Sequence, residues 1–415
     1  MNSIEEFIKS HLNDDPYELA LQAAKYPEVD MQYVATQIRG WQTARRKLPL
    51  WAETEGIIYP AHISMEQCSS QKAAQYKAAI IARWLSHRQQ DADGGGKPTI
   101  MADITGGFGV DTVMLGKLFD KVIYVEQNEE LCRIARHNFP LLGLNNVEII
   151  NQTCEQALES LPHCDLIFLD PSRRDKNGDR TIFVEDCTPN ILEIQDKLRQ
   201  NADKVMVKVS PMFGGETLFR SCFNMEKLYI VSVNDECKEI LVMMRGGYEK
   251  MPRRISDEVI HCVNLTNKGT QSLVFTREEE LSTQALVAQP ADMAIGHYLY
   301  EPNASLMKGG AFRIISQKYH VRQLHNNTHL FTSPILVDDF PGRTFRITGM
   351  YSLSKKDCKQ LHAIGKANIA VRNFPLSAND LRKRLKLAVG GDTYIFAVTL
   401  ADESKAAIQC TRLPD

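Results

Sequence analysis

The stretch Asp103-Ile-Thr-Gly-Gly-Phe-Gly-Val-Asp111 constrains this chain more than any other part of it. An apolar run, Ile100 to Ile104, leads into it, and a helical pattern from Asp111 to Leu118 leaves it. A strand that turns through glycines directly into a helix gathers backbone amides and the positive helix end at one point. Such a point suits a nucleotide-like ligand. A glycine turn that merely lets a helix pack on a strand would have the same sequence, so the surroundings must decide.

Those surroundings repeat one rhythm. Short apolar runs at Lys121–Val125, Val147–Ile150, Asp165–Leu169 and Val205–Val209 alternate with helical patterns at Glu129–Asn138 and Pro189–Asn201. Near-continuous apolar strands separated by helices predict a parallel sheet covered on both faces. Two more runs, Leu228–Val233 and Glu239–Met244, are joined by Asn234 to Lys238 alone, which is too short for a crossover and predicts a hairpin. Before the sheet, residues 1 to about 90 show helical spacing, most clearly from Gln71 to Leu85, with Ser69 or Ser70 as cap. Asp91 to Pro98 carries three glycines and reads as a linker. Beyond Arg245 the pattern weakens to a small α+β region, followed by strands at Arg343–Met350 and Thr393–Leu400 framing two helices.

At 415 residues the chain is long enough for about two to four domains. No apolar run approaches membrane-spanning length, and the acidic, amphipathic start lacks the form of a secretory signal, so a cytoplasmic location is expected. The ten cysteines are scattered without a CxxC pair, and the histidines form no zinc-like cluster, so no metal is expected.

The candidate chemistry lies where the strands end. Glu126 closes the second strand 23 residues after Asp103, a spacing that suits a carboxylate accepting the two hydroxyls of a ribose. A nicotinamide site remains an alternative, although the third position of the dinucleotide fingerprint is Thr112 where glycine or alanine is required. Asp103 is better explained by a ligand carrying an ammonium group, such as S-adenosylmethionine. The fourth strand ends in Asp170-Pro-Ser-Arg-Arg174, which is either a binding turn at the carboxyl edge or a plain Asp-Pro turn. Arg173 and Arg174 could meet substrate phosphates or simply be solvated. Lys208 lies within the fifth strand, where it could reach into the cleft or pair with Asp170.

Taken in order, Gln67-Cys-Ser-Ser, the glycine stretch, Val-Glu126, Asp-Pro-Ser-Arg-Arg and Lys208-Val-Ser-Pro resemble bacterial class I S-adenosylmethionine-dependent methyltransferases with a C-terminal THUMP-like domain. The resemblance implies a Rossmann-like α/β fold whose parallel sheet ends in an antiparallel hairpin. It also implies four domains: a helical one over 1–95, the methyltransferase over 96–250, a ferredoxin-like module over 251–340 and a THUMP-like domain over 341–415. The candidate cofactor-binding residues are Asp103, Thr105, Gly106, Gly107, Gly109, Asp111, Glu126 and Thr153. Asp170, Pro171, Ser172 and Lys208 are the candidate catalytic group, with Arg173, Arg174 and Ser210 toward the substrate. Ser172 stands where amino-methylating enzymes carry a second proline, which leaves the target atom open.

THUMP domains are associated with RNA. From Pro341 to Asp415 there are 13 Lys and Arg against 6 Asp and Glu, centred on Arg382-Lys-Arg-Leu-Lys386. A basic face of that kind attracts phosphate backbones. The expected activity is therefore methylation of a base nitrogen in tRNA or rRNA. A small-molecule or protein methyltransferase, or a binding protein without chemistry, stands as the alternative.

Overall fold

The computed structural model describes residues 2–90, 97–172, 184–249 and 254–414. It divides into two compact units, Met1–Glu226 with Ile240–Pro252, and Lys227–Glu239 with Arg253–Asp415. The linker expected at Asp91 to Pro98 falls mostly outside the described residues.

The first unit opens with the helices α1 (Asn2–Ser10), α2 (Pro16–Ala20), α3 (Met31–Lys47), α4 (Pro49–Glu53), α5 (His62–Gln67) and α6 (Gln71–Gln90). Their starts follow local rules. Asp15 caps α2 ahead of a first-turn proline, and Asp30 caps α3 by accepting from the Tyr33 amide at 3.0 Å.

The alternating region follows as β1 (Ile100–Asp103), α7 (Val110–Gly116), β2 (Lys121–Val125), α8 (Glu129–Leu141), β3 (Val147–Ile150), α9 (Cys154–Leu158), β4 (Cys164–Leu169), α10 (Ile191–Gln200), β5 (Ala202–Val209) and α11 (Gly215–Ser221). Next come β6 (Met225–Val233) and β7 (Glu236–Arg245). Within the first unit the strand order is β3-β2-β1-β4-β5-β7. All neighbours are parallel except β5 and β7, which run antiparallel with Val209 opposite Ile240 and Lys204 opposite Arg245. The order reverses direction between β1 and β4, and open α/β sheets bind ligands outside the carboxyl ends of the strands at such a point.

The leading helices share a core with this sheet. Ala44, Leu48, Trp51, Tyr59, Met65 and Ala74 pack with Phe108, Val110, Tyr124 and Phe139 in one buried cluster. Tyr59 is buried and Ile58 half-buried among them, so the backbone of this loop needs partners. Amide side chains supply them on both sides. Gln37 exchanges two hydrogen bonds with Tyr59, at 2.8 and 2.9 Å, and Asn138 exchanges two with Ile58, at 3.0 and 2.8 Å.

In the second unit, β6 turns back into β7 through Asn234 and Asp235, both at positive φ (49° and 64°), as a two-residue hairpin requires. The hairpin is not the last of the strands there. β8 (Val259–Leu265) pairs parallel with β6, and β9 (Thr270–Thr276) pairs antiparallel with β8. Thereafter come α12 (Arg277–Ser282), β10 (Tyr298–Pro302), α13 (Ala304–Gly309), α14 (Phe312–Lys318), β11 (Arg322–Gln323) and β12 (Phe331–Ser333). The chain ends in β13 (Gly342–Tyr351), α15 (Lys355–His362), β14 (Asn368–Arg372), α16 (Ala378–Leu385), β15 (Thr393–Thr399) and β16 (Lys405–Arg412). These form a seven-stranded sheet of order β11-β12-β10-β13-β16-β15-β14. Glu301 of β10, 3% exposed, ties it together by pairing with Arg343 of β13 and, at 2.7 Å, with Arg372 of β14.

Among the described residues no helix is long and apolar enough to cross a membrane, and no cluster of His, Cys, Asp and Glu could hold a metal ion.

Candidate active site

The carboxyl ends of β1, β2, β4 and β5 carry the residues that sequence patterning singles out. Asp103 closes β1 and is 1% exposed. Its carboxylate accepts from the Thr105 amide at 3.2 Å and from the Thr112 hydroxyl of α7 at 2.6 Å. Burial pushes this acid up to about 7, against the pull of those two hydrogen bonds; the nearby Asp111 and Asp170 charges push the same way. Thr112, which argues against a dinucleotide in the sequence, thus has a positive duty in holding Asp103.

The glycine loop has the shape its residues allow. Gly109 caps α7 at φ 81°, and Gly107 sits at φ 55°. Gly106 lies under the Tyr124 ring, which an added Cβ would meet at 2.0 Å. At Gly107 a Cβ would find only the Thr105 carbonyl oxygen, at 3.9 Å, so the loop is open on that side and a ligand can approach its backbone. Tyr124 donates its hydroxyl to the Gly107 carbonyl at 2.5 Å, and the Gly107 amide donates to Glu126 at 2.8 Å. The other Glu126 oxygen accepts from the Asn128 amide at 2.8 Å. Two backbone amides therefore orient this half-buried carboxylate, and each oxygen keeps a lone pair for a ligand.

On the far side of β1, the Asp170 amide donates to the Thr105 hydroxyl at 2.6 Å, so the turn after β4 is fastened to the glycine loop. Lys208 reaches from β5 to pair with Asp170 and lies 4.0 Å from Asp111. Asp111 itself is buried at the start of α7. It pairs with Lys77 at 3.0 Å and accepts from the Ser69 hydroxyl at 2.6 Å. Burial raises the Asp111 acid, but Lys77, Lys208 and Ser69 outweigh it and hold the acid below its ordinary range.

Three further candidates hold partners close to them in the chain or in a neighbouring turn. The Thr153 hydroxyl caps α9 in a reciprocal box with Gln156. Ser172 is exposed and pairs through its backbone with Thr188, and the Ser210 hydroxyl accepts from the Met212 amide at 3.2 Å. Pro171, between Asp170 and Ser172, is buried at the β4 turn. Arg173 and Arg174 lie outside the described residues. Sequence reasoning gave Ser69 only a capping role and passed over Lys77 and Tyr124. A signal for Lys77 existed: it occupies the apolar stripe of α6 with Ala73, Ala74, Ile81 and Leu85.

A parallel sheet ending in an antiparallel strand, with a glycine loop after β1 and an acid after β2, is the arrangement expected of a class I methyltransferase. This structure superposes on a solved structure from Porphyromonas gingivalis W83, assigned as a methyltransferase, with a TM-score of 0.83 and 31% identity. The match covers 99% of this chain and 98% of that one. A ferredoxin-like family domain matches residues 298–341, and a THUMP-like family domain matches residues 342–412. The chain belongs to the bacterial class I S-adenosylmethionine-dependent methyltransferases that carry these two C-terminal domains. Partial overlaps also occur. A SAM-dependent methyltransferase from Agrobacterium tumefaciens is 14% identical over 41% of this chain and 62% of that one, with a TM-score of 0.30. A Streptococcus mutans protein, assigned as a methyltransferase and solved with SAH, is 19% identical over 36% and 89%, with a TM-score of 0.28. Comparison with curated proteins gives no match.

Proposed function

We propose that this enzyme methylates a nitrogen of an RNA base. The observation that carries the reading is the hydrogen bond from the Asp170 amide to Thr105. It joins the Asp170 turn to the glycine loop, which supports a reading in which the acceptor amine and the donor meet there.

The side chains fit S-adenosylmethionine group by group. Asp103 offers a buried carboxylate to the ammonium, Glu126 offers two acceptor oxygens to the ribose hydroxyls, and Gly107 offers an open backbone. When bound, the cofactor supplies a methyl group activated on a sulfonium. The chain's own part is positioning and exclusion of water, which can supply most of the rate in such a displacement. Lys208 fixes one oxygen of Asp170, and the other is left to accept a hydrogen bond from an exocyclic amine. That bond aims the nitrogen lone pair, and the same carboxylate can take up the proton the nitrogen sheds. The THUMP-like domain, with the basic surface of α16, supports RNA as the molecule bearing the amine.

The test is transfer of tritium from labelled S-adenosylmethionine into total RNA, protein and metabolites of a strain lacking the gene. Label in RNA supports the reading, and label confined to protein or metabolites excludes it.

A further inference from the structure

Helix α6 buries a lysine. Ala73, Ala74, Lys77, Ile81 and Leu85 form its inward stripe, and the Lys77 side chain is 0% exposed. A lysine removed from water requires a counter-charge. Asp111 provides it at 3.0 Å, and the Ser69 hydroxyl bridges the pair, 3.1 Å from the Lys77 ammonium and 2.6 Å from Asp111. The same Asp111 oxygen that accepts from Ser69 lies 4.0 Å from the Lys208 ammonium, which in turn pairs with Asp170. Two ammonium groups and two carboxylates thus alternate, from the buried face of α6 to the half-exposed turn after β4.

Lys208 stands between two carboxylates, close to Asp170 and more distant from Asp111. Which one it favours depends on how far the charge of Asp111 is already satisfied. We infer that Lys77 is a positioning residue for methyl transfer: by satisfying Asp111 it leaves Lys208 to Asp170 and so fixes the carboxylate that meets the acceptor. The inference rests on the proposed role of Asp170. It gives the helices before the sheet a part in the reaction, and it assigns Asp111 to the acceptor side through Lys208. The Asp111 carboxyl, held below its ordinary range chiefly by Lys77 and then by Lys208 against the cost of burial, accords with this arrangement.

Replacing Lys77→Met keeps the length and apolar packing of the side chain and removes its charge. A crystal structure of this variant is expected to show the Lys208 ammonium moved onto Asp111, at about 3 Å, and off Asp170. Calorimetry with S-adenosylhomocysteine is expected to give an affinity within about threefold of the native protein. Tritium transfer into total RNA from the deletion strain falls on the order of 100-fold, the loss that about 1 Å of misplacement brings. Combining Lys77→Met with Asp111→Asn removes charge and counter-charge together, so Lys208 stays on Asp170 and transfer recovers to within about tenfold of native. A merely structural lysine gives no such rescue.

The proposal is overturned if Lys208 remains on Asp170 in Lys77→Met with transfer unchanged, or if the losses in the double variant simply add. Should Lys77→Met fail to fold, Ser69→Ala weakens the hold on Asp111 more gently. It should draw Lys208 part of the way and lower transfer; no change in either counts against the proposal. Failure of the native protein to bind S-adenosylhomocysteine or to label RNA counts against the proposed function alone, because the displacement of Lys208 is read in the crystal whatever the substrate.

Discussion

Asp103 makes the donor side of the site pH-dependent. Its acid is raised from 3.8 to about 7 by burial, so in the ligand-free protein it is protonated through most of the acid range. A ligand bearing an ammonium group needs the carboxylate. Affinity for S-adenosylhomocysteine should therefore fall as pH drops through 7, approaching tenfold per pH unit. The effect on folding has the opposite sense. The native state holds this proton more tightly than the unfolded chain, so the stability Asp103 contributes declines as pH rises from about 4 to about 7. Calorimetry between pH 5.5 and 8, with Asp103→Asn beside the native protein, checks the first effect; the variant should bind weakly and show a flat profile. A native profile as flat as the variant's would remove Asp103 from the ammonium site. Glu126→Ala should weaken the same ligand by about 10-fold to 100-fold, the worth of hydrogen bonds to a charged acceptor. Both positions were legible because one acid ends β1 and the other directly follows β2, at the carboxyl edge of the sheet. Lys77 was passed over for the opposite reason: alanine-rich helices are read by propensity, and a charge on the inner face shows only once the stripe is traced residue by residue.

At the scale of elements, the glycine loop and the hairpin were both visible in advance, for reasons of local geometry. Gly106, Gly107 and Gly109 each answer a different need, namely the Tyr124 ring, the open approach and the positive φ that starts α7. Gly106→Ala drives a methyl group into the buried Tyr124 ring and should destabilise the protein by about 1–3 kcal/mol. Because Tyr124 also holds the Gly107 carbonyl, the change should weaken S-adenosylhomocysteine as well. Urea denaturation beside calorimetry separates the two effects, and an unaltered midpoint would mean the ring can move aside. The hairpin was readable from a linker too short to cross the sheet, although the turn proved to be only Asn234 and Asp235. Strand β8 was not recognised as a partner of β6, nor β9 as the partner of β8. Val259 to Leu265 has ordinary strand composition, but its parallel pairing with β6 is a long-range choice that no local pattern announces. The same holds for β14, which pairs parallel with β15, whereas β16 pairs antiparallel with β15 across a short turn and was simply left unassigned.

Across the whole molecule, a net charge of −2 conceals a strong asymmetry, since the last 75 residues carry 13 basic and 6 acidic side chains. The fold gives part of that excess a shape. Helix α16 buries Leu381 and Leu385 and turns Lys383 and Arg384 outward, with the exposed Lys386 at its end in a left-handed conformation, φ 54°. Among the described residues these cations pair with no acid: Arg382 contacts Asn379, and Arg384 reaches the Leu353 carbonyl. A basic helix end of this kind is a phosphate-binding surface or a solvated one, and salt distinguishes the two. If it meets RNA, each lost phosphate contact lowers the slope of log affinity against log salt by about 0.7 for single strands and about 0.9 for duplex. Reversing Arg382, Lys383 and Arg384 to Glu in the full chain should therefore weaken binding to labelled total RNA and flatten its salt dependence by roughly two to three such contacts. Fluorescence anisotropy from 50 to 200 mM salt measures both quantities at once. Unchanged affinity together with an unchanged slope would make α16 a solvated face and move the RNA surface elsewhere on the second unit. Weaker binding with the native slope would instead point to a loss of shape, because neutralised phosphates cannot leave the salt dependence untouched.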